Sequence, residues 1–213
     1  DTVILSHGHY DHSGGIMTFA EINPNAEIYL RRNAGGDYYH GERYIGIDKR
    51  ILNLPQLVFT DDFMEIDEEL TLFSGVTGRK YFSRSNLALT ERTENGEMQD
   101  CFSHEQCLVI SEGERKILLS GCAHNGILNI LDKYRQLFGG NPDTVITGFH
   151  MMKKTEYTEE ETAIITDTAR ELMKTDIRFY SGHCTGIPAF DMMKEIMGVK
   201  LTAIHSGDKV MEE

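Results

Sequence analysis

The sequence predicts a mixed fold of the α+β or α/β class, on three observations. Short β-rich runs alternate with amphipathic stretches along the chain. The apolar run Val3-Ile4-Leu5 leads directly into the polar segment SHGHYDHSGG, residues 6–15. Three later strand candidates each end in a turn carrying Gly and His: Gly121-Cys122-Ala123-His124, Gly148-Phe149-His150 and Gly182-His183.

In chain order, strands are expected over Val3–Leu5, Glu27–Leu30, Leu57–Thr60, Leu70–Gly75, Ser85–Thr90, Gln106–Ser111, Arg115–Ser120, Thr144–Thr147, Ile177–Tyr180 and Lys200–Ile204. Helices are expected over Gly14–Ile22, Gly126–Phe138, Thr158–Lys174 and Ile187–Met197. Thr158 with Glu161 forms a capping-box pattern, and Gly139-Gly140 and Gly198 stop the second and fourth helices. Residues 31–103 show weak periodicity and frequent Gly and Tyr; they read as loops and short strands covering a substrate. With no repeat and no clear linker, the 213 residues are expected to form one domain. Because the first strand already carries the polar motif, that domain is expected to lack its first N-terminal strands.

The bulk numbers narrow the function. Hydrophobic content of 40% with 26% charged residues is ordinary for a soluble protein. No stretch has the length of a membrane span and the start carries no signal segment, so a cytoplasmic protein is expected. The four cysteines then read as reduced thiols, with Cys101 and Cys107 as packing residues. A net charge of −13 repels phosphate backbones, which disfavours nucleic acid.

The segment His7-x-His9-x-Asp11-His12 places four metal-ligand side chains within six positions. Residues two apart on a strand share a face, so His7 and His9 project together; Asp11 and His12 follow as the chain bends into a helix. Imidazole and carboxylate suit zinc, manganese and iron, and a pair of such ions about 3.5–4 Å apart can activate water. The Gly-His turns place further imidazoles along one rim of a sheet, where α/β sites form.

These motifs resemble the metallo-β-lactamase superfamily. The combination SHGHYDHSGG, LLSGCAHNGI, GFH and SGHCTG is similar to its branch of 7,8-dihydropterin-6-yl-methyl-4-(β-D-ribofuranosyl)aminobenzene-5′-phosphate synthases. The resemblance implies a four-layer αββα sandwich and two divalent ions, zinc first, with manganese or iron as alternatives. His7 and His9 would bind one ion, Asp11, His12 and His183 the other. Cys122 stands where the superfamily has a bridging Asp, as a thiolate ligand or as a buried thiol. His104 and His124 compete for the remaining ligand position.

The implied chemistry is hydrolysis of a small phosphorylated, ester or lactone substrate, pterin or ribosyl-arylamine phosphate related, by a hydroxide that two metals activate. Asp11 would orient the nucleophile, and His150 or His124 would protonate the leaving group. Tyr38-Tyr39 and Arg31-Arg32 are available to recognise a pterin or phosphate. Two other readings are a di-iron oxidoreductase on the same fold and a non-catalytic metal-binding module. The oxidoreductase branch typically has Glu where this chain has His9.

Overall fold

The computed structural model describes residues 1–210. The chain forms two compact units: residues 1–77 with 86–114, and residues 78–85 with 115–213, of which 211–213 lie outside the described residues.

The first unit begins with strand β1 (Thr2–Ile4), a single helical turn α1 (Tyr10–Ser13), helix α2 (Ile16–Ile22) and strand β2 (Glu27–Arg31). One helix over residues 14–22 was the expectation; Gly14-Gly15 instead separates two, since glycine is the poorest helix former after proline. Strands β3 (Asp37–His40), β4 (Arg43–Tyr44), β5 (Leu57–Thr60), β6 (Phe63–Glu65) and β7 (Leu70–Phe73) follow. A 3₁₀ turn over Arg84–Ala88 stands where a strand from Ser85 is expected, and β8 covers Leu89–Thr93. Strands β9 (Gly96–Gln99) and β10 (Cys107–Glu112) complete the unit.

Strands β1, β2 and β5 are parallel, with Val3 opposite Ile28 and Ile28 opposite Leu57. Ile16 and Ala20, one helical turn apart on α2, bury against Leu5, Ile28, Leu30, Ile47 and Ile51. Strands β4, β3, β8 and β9 form an antiparallel sheet, so residues 31–103 are more regular than their sequence suggests. Strands β6, β7 and β10 pair antiparallel as well.

One side chain ties the first sheet together at the end that carries the histidine motif. The buried Gln106 amide donates to the carbonyls of Leu5 (2.8 Å) and Tyr29 (3.2 Å), and its oxygen accepts from the Thr60 hydroxyl (2.6 Å). Its backbone N–H donates to the Ser6 carbonyl (2.8 Å). A buried amide with its groups paired in this way is specific, because any other register leaves it unsatisfied.

The second unit contains β11 (Arg115–Ser120), α3 (Ile127–Phe138), β12 (Thr144–Thr147), α4 (Glu159–Met173), β13 (Arg178–Ser181), α5 (Ile187–Met197) and β14 (Leu201–Ala203). Its four strands are parallel in the order β11, β12, β13, β14. On α3 the buried Ile127, Ile130, Leu131 and Tyr134 follow the helical period of an amphipathic face. Residues 78–85 join this unit through Asn129, whose amide accepts from Lys80 N–H (2.9 Å) and donates to the Lys80 carbonyl (3.1 Å). Among the described residues no helix is long and apolar enough to cross a membrane.

The capping box expected at α4 is present: the Thr158 hydroxyl accepts from Glu161 N–H, and the Glu161 carboxylate accepts from Thr158 N–H (2.7 Å). Lys153 salt-bridges Glu161 and holds its carboxyl below the usual range. Thr158→Ala is expected to lower stability by about 1 kcal/mol, read from urea denaturation, with Thr158→Ser retaining most of it.

Candidate metal centre

In the first unit, the strand β1 delivers its last residues into the histidine motif as the sequence predicts. His7 and His9 are buried, with ring centroids 4.8 Å apart and edge-on to each other. The His7 ring also lies 4.2 Å from that of His12. His12 Nε2 sits 3.7 Å from the Asp11 carboxylate, in the half-exposed part of the cluster. His7, His9, Asp11 and His12 are thus gathered by a tight change of direction: His12 N–H and the Ser13 hydroxyl both donate to the His9 carbonyl. Ser6 Oγ lies 2.9 Å from His7 Nδ1 and orients that ring.

Gly8, between the two histidines, is fixed by lack of space. A Cβ there would come within 2.7 Å of the Ala34 carbonyl oxygen and 2.9 Å of its Cα, which are backbone atoms unable to move aside. The Gly8 N–H donates to Nδ1 of His104 at 3.0 Å. His104 Nε2 in turn lies 3.0 Å from the Asp100 carboxylate. Both ring nitrogens of His104, one of the expected ligands, therefore have partners within the protein, and the ring anchors the motif. The competing hydrogen-bond partner, Gly8 N–H, is 96 residues away and has no sequence signal.

Asp100 is the residue that the sequence did not single out. It is buried, accepts from Phe102 N–H at 2.6 Å, and lies 3.9 Å from His9 Nε2. Burial raises its pKa, but the hydrogen bond with His104 and the nearby His9 imidazole outweigh that and hold the carboxyl well below its ordinary range. Burial pushes the His104 imidazole down, opposed by Asp100. The pair is thus a neutral imidazole beside a carboxylate. One candidate group of ligand atoms, from His9, Asp100 and His104, falls within this network.

Tyr38 and its neighbours, expected to be available to a substrate, have partners within the protein. Tyr38 is fully buried, donates to the Asn33 carbonyl at 2.5 Å, and lies tilted against the His104 ring with centroids 4.2 Å apart. Arg92 covers Tyr39 at 3.9 Å, Arg31 pairs with Asp62 at 2.8 Å, and Arg32 lies over Phe59 at 4.2 Å. Cys101, expected to pack, is exposed, whereas Cys107 is buried. Tyr10 is 43% exposed and its hydroxyl accepts from Arg43 at 2.7 Å.

In the second unit, the three Gly-His turns leave the carboxyl ends of the adjacent parallel strands β11, β12 and β13. Ala123, His150 and His183 have φ of 51°, 46° and 47°, a conformation that non-glycine residues rarely adopt and that concentrates at functional sites. The rings of His124, buried, and His150 lie 4.1 Å apart. Cys122 is buried, and its carbonyl accepts from the Cys184 thiol at 3.7 Å. Gly148 makes this close packing possible, since a Cβ there would meet the Cys184 sulfur at 2.3 Å. His183 is exposed and lines a groove of about 420 Å³ with Gly186, Ile187, Phe190, Ala203 and His205.

The donor set suits a divalent ion. Buried, clustered imidazoles with a carboxylate at the open side are the chemistry of zinc or another borderline cation, and packing alone does not call for them.

The comparisons agree with that chemistry. Residues 1–78 match the metallo-β-lactamase superfamily profile. The chain is 26% identical over 201 residues to an uncharacterised protein of Methanocaldococcus jannaschii, covering 92% of this chain and 73% of that one. It is also 26% identical over 233 residues to the 7,8-dihydropterin-6-methyl-4-(β-D-ribofuranosyl)-aminobenzene-5′-phosphate synthase of the same organism, covering 97% and 74%. A solved metal-dependent hydrolase of the β-lactamase superfamily superposes with a TM-score of 0.80 at 28% identity, covering 99% of this chain and 78% of that one. Gly8→Ala is expected to reduce metal uptake and soluble yield together, because a methyl group displaces the backbone between the two histidines; normal zinc binding by this variant would contradict the tight-approach argument. With its fold and the histidine motif within its matched segment, the chain has the metallo-β-lactamase fold and is similar to that superfamily over residues 1–78.

Proposed function

We propose that this protein is a metal-dependent hydrolase acting through two divalent ions, zinc first, on a small phosphorylated, ester or lactone substrate. The observation that carries the reading is the buried cluster of His7, His9 and His12 with Asp11 at its open side. The similarity to a metal-dependent hydrolase supports the activity. The relative named as a synthase of a pterin-linked ribofuranosyl aminobenzene phosphate supports a pterin or ribosyl-arylamine phosphate as the substrate class.

His7 and His9 are assigned to the first ion, and Asp11, His12 and His183 to the second. His104 or His124 would supply the remaining ligand of the first ion, and the engagement of both His104 nitrogens favours His124. Cys122 would serve as a thiolate ligand, a donor adequate for zinc. When bound, two such ions supply Lewis acidity and water of lowered pKa.

The chain's own residues do the rest. The Asp11 carboxylate, accepting only, orients the nucleophile. His150, held against His124, donates a proton to the leaving group, and His124 is its alternate. The groove beside His183 has the volume of a small-molecule site.

Elemental analysis coupled to a screen of phosphodiester, phosphomonoester and lactone substrates tests the reading. Iron with a visible charge-transfer band and no turnover in the screen would instead indicate redox chemistry. His9→Ala and Asp11→Ala are each expected to lower metal content and to reduce hydrolysis at least 100-fold, on the order expected for loss of a metal ligand; full activity in either refutes the assignment. Cys122→Ser is expected to weaken zinc binding strongly in a competition titration, and an unchanged titration returns Cys122 to a packing role.

A further inference from the structure

We propose that Asp100 is a positioning residue for the histidine motif: it holds His9 and His104 with their protons on Nε2, so that His9 offers Nδ1 to a metal ion. The metal clause rests on the functional reading above; the tautomers are a property of the chain alone.

The proton positions follow from the hydrogen-bond partners. Gly8 N–H donates to His104 Nδ1, so that nitrogen carries the lone pair and the proton sits on Nε2. Nε2 then donates to Asp100 Oδ2 at 3.0 Å. The same oxygen lies 3.9 Å from His9 Nε2, with both side chains almost wholly buried. A lone pair on that nitrogen would face the carboxylate across a site of low polarity, whereas N–H is attracted to it. The His9 proton therefore belongs on Nε2, and the lone pair on Nδ1. The other carboxylate oxygen accepts from Phe102 N–H at 2.6 Å, which prevents Asp100 from turning away. A carboxylate behind a ligand histidine fixes its tautomer and raises its basicity.

The alternative is that His9, Asp100 and His104 themselves hold an ion, since their ligand atoms lie within 4.8 Å of one another. The engagement of both His104 nitrogens argues against it. Asparagine at position 100 cannot reproduce the arrangement. If its oxygen accepts from Phe102 N–H, its amide N–H groups confront the imidazole N–H groups; if it turns over, they confront Phe102 N–H.

The first test is nitrogen-15 NMR of the imidazoles in wild-type protein, metal-free and zinc-loaded, which requires no variant to fold. The Nε2–H form is expected for His9 and His104 in both states, with zinc shifting the Nδ1 resonance of His9. A His9 proton on Nδ1 in the metal-free protein, or zinc on His9 Nε2, overturns the proposal. In Asp100→Asn, zinc affinity is expected to fall about 10- to 100-fold with an unchanged number of ions at saturation. Unchanged affinity in a folded variant, or loss of one ion per chain at saturation, overturns it. Expected tautomers and zinc affinities in a protein that hydrolyses nothing would uphold the positioning role and remove the hydrolase reading.

Discussion

The close approach of Gly8 to Ala34, together with the hydrogen bond from Gly8 N–H to His104, governs the geometry of the histidine motif. The space between His7 and His9 admits no side chain, and the one polar group exposed there is taken by an imidazole 96 residues away. Gln106 then pins Ser6 and Leu5 to the neighbouring strands. Two histidines therefore keep a fixed separation because the backbone under them cannot slide. Preorganisation of this kind matters at a metal site, where ligand atoms must be placed to within a few tenths of an ångström.

A buried carboxylate is costly unless its oxygens are satisfied. Asp100 meets that condition with His104 Nε2 and Phe102 N–H, both within hydrogen-bonding distance. The result is a layered arrangement within the first unit: motif histidines, an anchoring imidazole, and the carboxylate behind both. The second unit uses a different device. Its imidazoles sit at the ends of adjacent parallel strands, in turns where Ala123, His150 and His183 adopt left-handed backbone conformations. Such conformations persist only where the surroundings enforce them, and Cys184 packs closely over Gly148 in the same group of turns.

The superfamily fold hosts several chemistries, and fold by itself does not choose between them. The distinction must come from side chains, and the reading proposed above rests on the imidazole-rich donor set. The −13 charge makes a polyanionic partner unfavourable.

The sequence by itself determined the mixed α/β class, three of the four long helices to within a residue or so, and the three strands that precede the Gly-His turns, because these depend on local periodicity and on glycine and capping signals. It also marked the histidine motif, whose spacing alone puts four donors in reach of one another. Tertiary structure decided the role of His104, the burial of Tyr38 and the importance of Asp100 and Gln106. His104 and Gln106 depend on partners far along the chain: Gly8 for His104, and Leu5, Tyr29 and Thr60 for Gln106. A histidine that binds metal and one that accepts a backbone N–H are the same letter, and only the atoms packed around the ring tell them apart.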